Sequence, residues 1–171
     1  MRRTIASRLM AIAQRRAPDF VIGDPEDPYL RRWWVIPRNP IFNVYLHEIR
    51  KSDDDRALHD HPWPNMSWLL KGQYLEILPQ SQLAQPCADF VTDDNGQRRF
   101  LCGHLRCEGF VIFRHAKTAH RLEVLPGGAC WTLFITGPVL RSWGFRCAQG
   151  WRHWREFTAP NQKGQIGRGC D

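Results

Sequence analysis

From Ile41 to Thr136 the chain reads as a succession of short alternating or β-branched apolar runs, each soon stopped by Gly, Pro, Asp or Asn. A period of two marks a strand with one buried face, and short strands spaced by turn residues build sandwiches or small barrels. Ile41 to Ile49 alternates cleanly, and W-W-V-I-P is a short strand stopped by Pro37 and Pro40. Asn65 to Leu78 reads as two strands joined in a hairpin at Lys71 and Gly72, and D-D-N-G at Asp93 to Gly96 is a second hairpin signal. Strands around Phe100, from Phe110 to Arg114, from His120 to Val124 and from Trp131 to Thr136 complete an all-β centre.

His59 and His61 fall inside this pattern, in A-L-H-D-H-P-W. Alternate residues of an extended segment share a face, so both imidazoles can enter one space. A third ligand must then come from elsewhere, and G-F-V-I-F-R-H-A-K-T-A-H ends at His120. After His61 come three residues, Asn65, six residues and Gly72. The later segment runs Gly109, five residues, His115, Ala116, Lys117, two residues, His120, three residues, Val124.

These paired segments resemble the two signature motifs of the cupin superfamily, in which a small β-barrel holds a divalent metal on three histidines and usually one glutamate. The resemblance covers roughly residues 42 to 137 and keeps the three histidines with Gly72 and Gly109. It departs at Asn65, which stands where the glutamate ligand usually is, and a neutral amide binds a cation far more weakly than a carboxylate. His115 and Lys117 replace the usual proline and glycine before the last histidine, and Val124 replaces an asparagine. The resemblance therefore implies a cupin-like double-stranded β-helix, or jelly-roll barrel, with a metal on His59, His61 and His120. Imidazole donors suit several metals; iron is the first expectation, with zinc, nickel or manganese as alternatives.

Each ligating histidine needs a partner for its second ring nitrogen. Asp60 sits on the opposite strand face from its neighbours and is a poor partner. Tyr74 and Glu76 share a face of the next strand and can point inward, and Glu76 could replace the missing carboxylate. These two and His115, placed in a turn near the barrel mouth, are the candidate catalytic residues. Arg114 is a candidate contact for an anionic substrate, whereas Arg121 faces outward on the phase set by His120. His47, His104 and His153, taken singly, read as structural.

The chain has 171 residues, 43% of them hydrophobic, which suits one domain with a real core. A basic amphipathic helix is expected over residues 1–18: Arg2, Arg3, Arg8, Arg15 and Arg16 accompany Ile5, Leu9, Ile12 and Ala13 at helical spacing. The barrel is expected over residues 29–158, followed by a flexible tail over 159–171. A net charge of +7 raises nucleic acid as a partner, but the charge concentrates in that helix and in the Arg141 to Phe157 stretch. There, arginine stems on tryptophan faces fit a segment sealing one barrel end. No apolar run approaches the roughly 18 residues of a membrane span.

Six irregularly spaced cysteines without a C-x-x-C or an export leader read as mostly reduced, intracellular thiols of a cytoplasmic protein, with Cys130 an inert core residue. The functional expectation is a metal enzyme of dioxygenase type acting on a small polar or acidic molecule, implied by resemblance to three-histidine cupins. An isomerase or epimerase of the same fold, and a non-catalytic ligand sensor or assembly module, are the alternatives. A homodimer is compatible with either.

Overall fold

The computed structural model describes residues 2–53, 57–79, 90–92, 98–160 and 167–171. Its eight central strands are β3 (Asn43–Ile49), β4 (Leu58–His59), β5 (Asn65–Lys71), β6 (Gln73–Pro79), β8 (Arg98–Cys107), β9 (Val111–Arg114), β10 (Arg121–Val124) and β11 (Cys130–Thr136). They pair first with last: β3 with β11, β5 with β9 and β6 with β8, all antiparallel. Strands β4 and β10 meet in an antiparallel bridge between His59 and His120. That nesting is a long hairpin rolled over on itself, the topology of a jelly roll.

Additional strands extend both sheets. On one, β1 (Phe20–Gly23) and β2 (Pro28–Trp34) give the order β1-β2-β3-β11-β5-β9. On the other, β7 (Phe90–Thr92) lies beyond β8, while β12 (Gly144–Cys147) and β13 (Gly150–His153) continue from β4. The expected all-β jelly roll with a short N-terminal helix is therefore present, although the strand at Trp33 begins earlier, at Pro28. Pairing of β7 with β8 agrees with the D-D-N-G signal, whose residues lie outside the described ones.

Alternation decides what each sheet face carries. On the β2-β3-β11-β5 sheet, Trp33, Leu46, Leu70 and Trp131 point outward, and α1 (Arg2–Ala13) packs over them. The helix buries Ala6 and Ala13, with Leu9 and Met10 packed alongside. Ile5 and Ile12, expected in its apolar stripe, are exposed. The stripe runs 6, 9, 10, 13, an i, i+3, i+4, i+7 spacing, so Leu9 and Ala13 of the expected set meet the Trp33–Trp131 stack while Ile5 and Ile12 do not.

The inner faces of the two sheets meet around Leu30, Ile49, Leu69, Tyr74 and Cys130. Cys130 is buried with Sγ donating to the Gln73 carbonyl at 2.9 Å, and burial pushes its thiol up, as suits an inert core cysteine. At the other end Ala57, Phe145, Cys147 and Phe157, with Trp143 and Trp154, form the seal expected of the late aromatic segment. Trp143 stacks on Trp154, and Arg141 and Arg155 lie over Trp151 and Trp154.

Two expectations fail here for identifiable reasons. Cys147 and Cys170 form a disulfide, a pairing that irregular spacing could not signal. With it, residues 167–171 are attached: the amides of Gly167 and Gly169 donate to the Phe157 carbonyl, and Arg152 donates to the Gly169 carbonyl. The second failure is the hairpin at Gly72. Strands β5 and β6 do not pair; they belong to different sheets, and Gly72 is the corner between them.

Gly72 has φ +84°, and a Cβ there would lie 3.1 Å from both the Ala129 oxygen and Cys130 Cα. Both neighbours are backbone, so neither can swing aside. Gly72→Ala should therefore cost about 1–3 kcal/mol of unfolding free energy in denaturant titrations. Gly109→Ala, with φ +92° but open space around the added carbon, should cost less.

Candidate metal centre

The His59–His120 bridge sets the site. Each residue's amide donates to the other's carbonyl at 2.9 Å, so β4 and β10 present their imidazoles side by side. His61 lies beyond the two-residue β4, but the chain stays extended: the Asp60 amide donates to the Gly144 carbonyl and that of His61 to the Ala116 carbonyl. His59 and His61 thus keep one face, and Asp60 takes the other. One ligand atom from each of the three rings falls within 4.8 Å of the others. The Nε2 atoms of His61 and His120 stand 2.9 Å apart, and two nitrogens that close can share one ion at metal–nitrogen distances of about 2.0–2.1 Å. The donor set fits a divalent transition metal.

Glu76 is the partner of the third ligand. Its buried Oε1 lies 3.0 Å from His120 Nδ1, which leaves Nε2 for the metal. The same carboxylate receives Arg114 Nε at 2.6 Å and Arg106 Nε at 2.8 Å. Burial opposes its charge, but the His120 hydrogen bond and the Arg114 charge outweigh that and hold the carboxyl far below its ordinary range. Glu76 is therefore committed to orienting the His120 ring and to its two arginines. At the other ring, Asp53 Oδ2 sits 3.7 Å from His59 Nδ1 while accepting the Leu122 amide at 2.6 Å; Oδ1 accepts the Tyr29 hydroxyl.

Burial pushes the His61 imidazole well below its usual value, reinforced by the charges of His120, His59, Arg114 and Arg32. Burial, then Arg114, lowers His120 to about 4 against the pull of Glu76. Both rings are thus neutral at physiological pH, the form that ligates a metal.

The triad opens into a cavity of about 590 Å³ between the sheets. Tyr74 lines it, with its hydroxyl 3.4 Å from Arg114 Nη2, and burial raises its pKa. Arg114 also lines it, but its donors are taken by Glu76, Ser67, Asn65 and Tyr74, which corrects its expected part as a free substrate contact. Asn65 Oδ1 accepts from Arg114 at 3.5 Å, so its role is within that network. His115 is exposed and outside the cavity, because strand alternation that turns Arg114 inward turns its neighbour outward; its expected catalytic placement is not met. Arg121 pairs with Glu123 away from the cavity, as its phase implied. Asp60 instead anchors the end cap, accepting Gly144 N and Trp151 Nε1 and pairing with Arg141 at 2.7 Å.

Asp53, Tyr29, Arg32 and His47 are cavity residues that sequence reading did not select. His47 shares the inward face of β3 with Tyr45 and Ile49, but a single histidine on a strand reads as structural until its neighbour on β2 is known. Asp53 sat in an acidic turn that reads as solvent-exposed.

No protein-family model matches the chain, and no curated protein matches it in sequence. Similar solved structures include the iron(II) form of HppE in complex with substrate, at 12% identity and TM-score 0.49, covering 71% of this chain and 57% of that one. A protein with a double-stranded β-helix domain from Klebsiella pneumoniae has 10% identity and TM-score 0.47, covering 74% of this chain and 90% of that one. A cupin superfamily protein from Desulfitobacterium hafniense has 11% identity and TM-score 0.42, with 64% and 77% covered.

If the triad holds a metal, three positions are expected to contribute unequally to its affinity. His120→Ala should abolish tight binding, Glu76→Gln should weaken it by about 10–100-fold by freeing the ligand's orientation, and Asn65→Ala should leave it nearly unchanged. Competition titration with a chromogenic chelator ranks them.

Metal-free protein should also weaken in mild acid. The unfolded chain protonates His120 near 6.5 while the folded chain waits until about 4, so this contribution is complete above 6.5 and is lost as pH falls toward 4. Denaturant unfolding at pH 5 should show a loss of about 2 kcal/mol from this residue relative to pH 7.5.

Proposed function

We propose that the chain is a metal-dependent enzyme that holds one divalent transition metal, iron first, on His59, His61 and His120, and performs oxygen-dependent chemistry of dioxygenase type on a small polar or acidic molecule. The observation that carries this reading is the convergence of three imidazoles on the wall of a substrate-sized cavity, with Glu76 buried behind one of them. Three neutral ligands leave a bound metal its full charge and open positions, from which it supplies Lewis-acid or oxygen chemistry.

The chain's own residues bind, orient and exclude water. Phe134 and Phe145 flank the histidines at ring distances of 6.1 Å from His61 and 6.0 Å from His59. Trp63 lies along His61, and its buried Nε1 has no partner among the described residues, so it is a donor open to a ligand. Tyr74 presents a hydroxyl held protonated. Isomerisation by acid–base catalysis would need an uncommitted base in the cavity. Asp53 is bound to Tyr29 and to the Leu122 amide, and Glu76 to two arginines and His120. Those commitments support chemistry centred on the metal.

Protein purified without added metal should carry about one divalent transition metal per chain by elemental analysis. The His59→Ala, His61→Ala double variant should lose it while keeping its far-UV circular dichroism. Dioxygen uptake by iron-loaded protein across a panel of small organic acids then tests the reaction type. Equal metal content in both proteins would exclude the assignment.

A further inference from the structure

One cation in the cavity, Arg32, has no anionic partner among the described residues. Arg32 and His47 face each other across β2 and β3 on the inner side of the sheet, and both line the cavity that holds the triad. Arg32 Nε donates to His47 Nε2 at 2.8 Å. The guanidinium lies 4.8 Å over the Tyr45 ring and 5.8 Å from that of Phe20. Its terminal nitrogens meet no hydrogen-bonding group, and no carboxylate pairs with it, among the described residues.

Its neighbours differ in this respect. Arg114 and Arg106 share Glu76, Arg31 pairs with Glu48, and Arg141 with Asp60. A partly desolvated charge without a counter-ion is costly, and stacking on two rings offsets only part of that cost. The geometry leaves the planar fork of Nη1 and Nη2 free, the arrangement that takes a carboxylate through two parallel hydrogen bonds. His47 fixes the fork's direction. By accepting from Nε it is itself held neutral, and burial and then Arg32 push its pKa well below the usual value, so it does not compete for the anion.

We propose that Arg32 is the anchor for the carboxylate of a small organic acid, the substrate of the metal centre. The inference rests on the function proposed above, because the same cavity joins the two sites. Phe134 spans the interval between them: its ring lies 5.0 Å from that of His47 and 6.1 Å from that of His61. An acid reaching from Arg32 to the triad therefore carries a compact body about one ring long. Leu30, Ile49, Leu122 and Phe134 are among the residues that line the shared cavity, which suits an apolar body.

The test uses the full chain as purified, with benzoate and phenylacetate as acid probes and benzamide and phenylacetamide as neutral controls of the same shape. Binding is followed by calorimetry at fixed ionic strength, and metal content is measured in parallel. Wild type should bind the better acid at least tenfold more tightly than its amide. Arg32→Gln should lose at least tenfold in acid affinity with amide affinity and metal content unchanged, and Arg32→Lys should retain part of the preference. Should Arg32→Gln fail to fold, Arg32→Lys alone decides, with a loss of about threefold or more for the acid only, since an ammonium cannot bind bidentately.

The His59→Ala, His61→Ala variant separates the two ideas. Acid binding that survives without metal supports the anchor even if the metal assignment fails. Acid binding lost in that variant but kept in Arg32→Gln places the anion on the metal and overturns the proposal. It is equally overturned if acids and amides bind wild type alike, or if neither acid binds at millimolar concentration.

Discussion

The two backbone hydrogen bonds exchanged by His59 and His120 couple fold and site. Among the described residues they form the ladder contact between β4 and β10, and so they join β12-β13 and the end cap to the sheet that carries Glu76. The same pairing sets the imidazoles of two distant chain segments beside each other. A ligand pair built from strand register does not depend on loop conformation. Register slips on an alternating strand would send both rings to the wrong face, and burial on that face opposes such slips.

The polar interior behind this bridge is held by Glu76. Two arginines and one histidine converge on a carboxylate that is almost wholly inaccessible. Desolvating such a group is expensive, and the Coulomb attraction in a poorly screened interior must offset that cost. Breaking the cluster from one side would strand a buried charge, typically at a cost of about 3–5 kcal/mol. The cluster also ties β6, β8, β9 and the His120 end of β10 together, so ligand orientation and sheet packing share one set of bonds.

Much of this was legible in the sequence, and the remainder was hidden for physical reasons. Alternation from Ile41 to Thr136 announced strands, and the H-x-H spacing announced a shared face, because both follow from local backbone geometry. The role of Gly72 was not legible: a turn residue signals that the chain changes direction, not whether the next strand pairs with the last or crosses to another sheet. Arg32 and His47 are fifteen residues apart, and only the β2–β3 register makes them neighbours. His115 occupied a motif position, yet alternation from the inward Arg114 turns it outward. The Cys147–Cys170 pairing and the helix stripe at Ala6, Leu9, Met10 and Ala13 likewise required the tertiary partner to be known.

The disulfide makes residues 167–171 part of the barrel. It closes a loop across a sequence separation of 23 residues, and chain-entropy arguments credit such a closure with about 3 kcal/mol. Inside that loop lie Phe157 and Thr158 to Pro160, which line the cavity, and Phe157 stacks at 3.7 Å on Phe145, the neighbour of His59. The wall on that side is a covalent lasso whose knot is the Cys147–Cys170 bond. Replacing Cys170, far from the histidines in sequence, would untie the rim of the chamber itself.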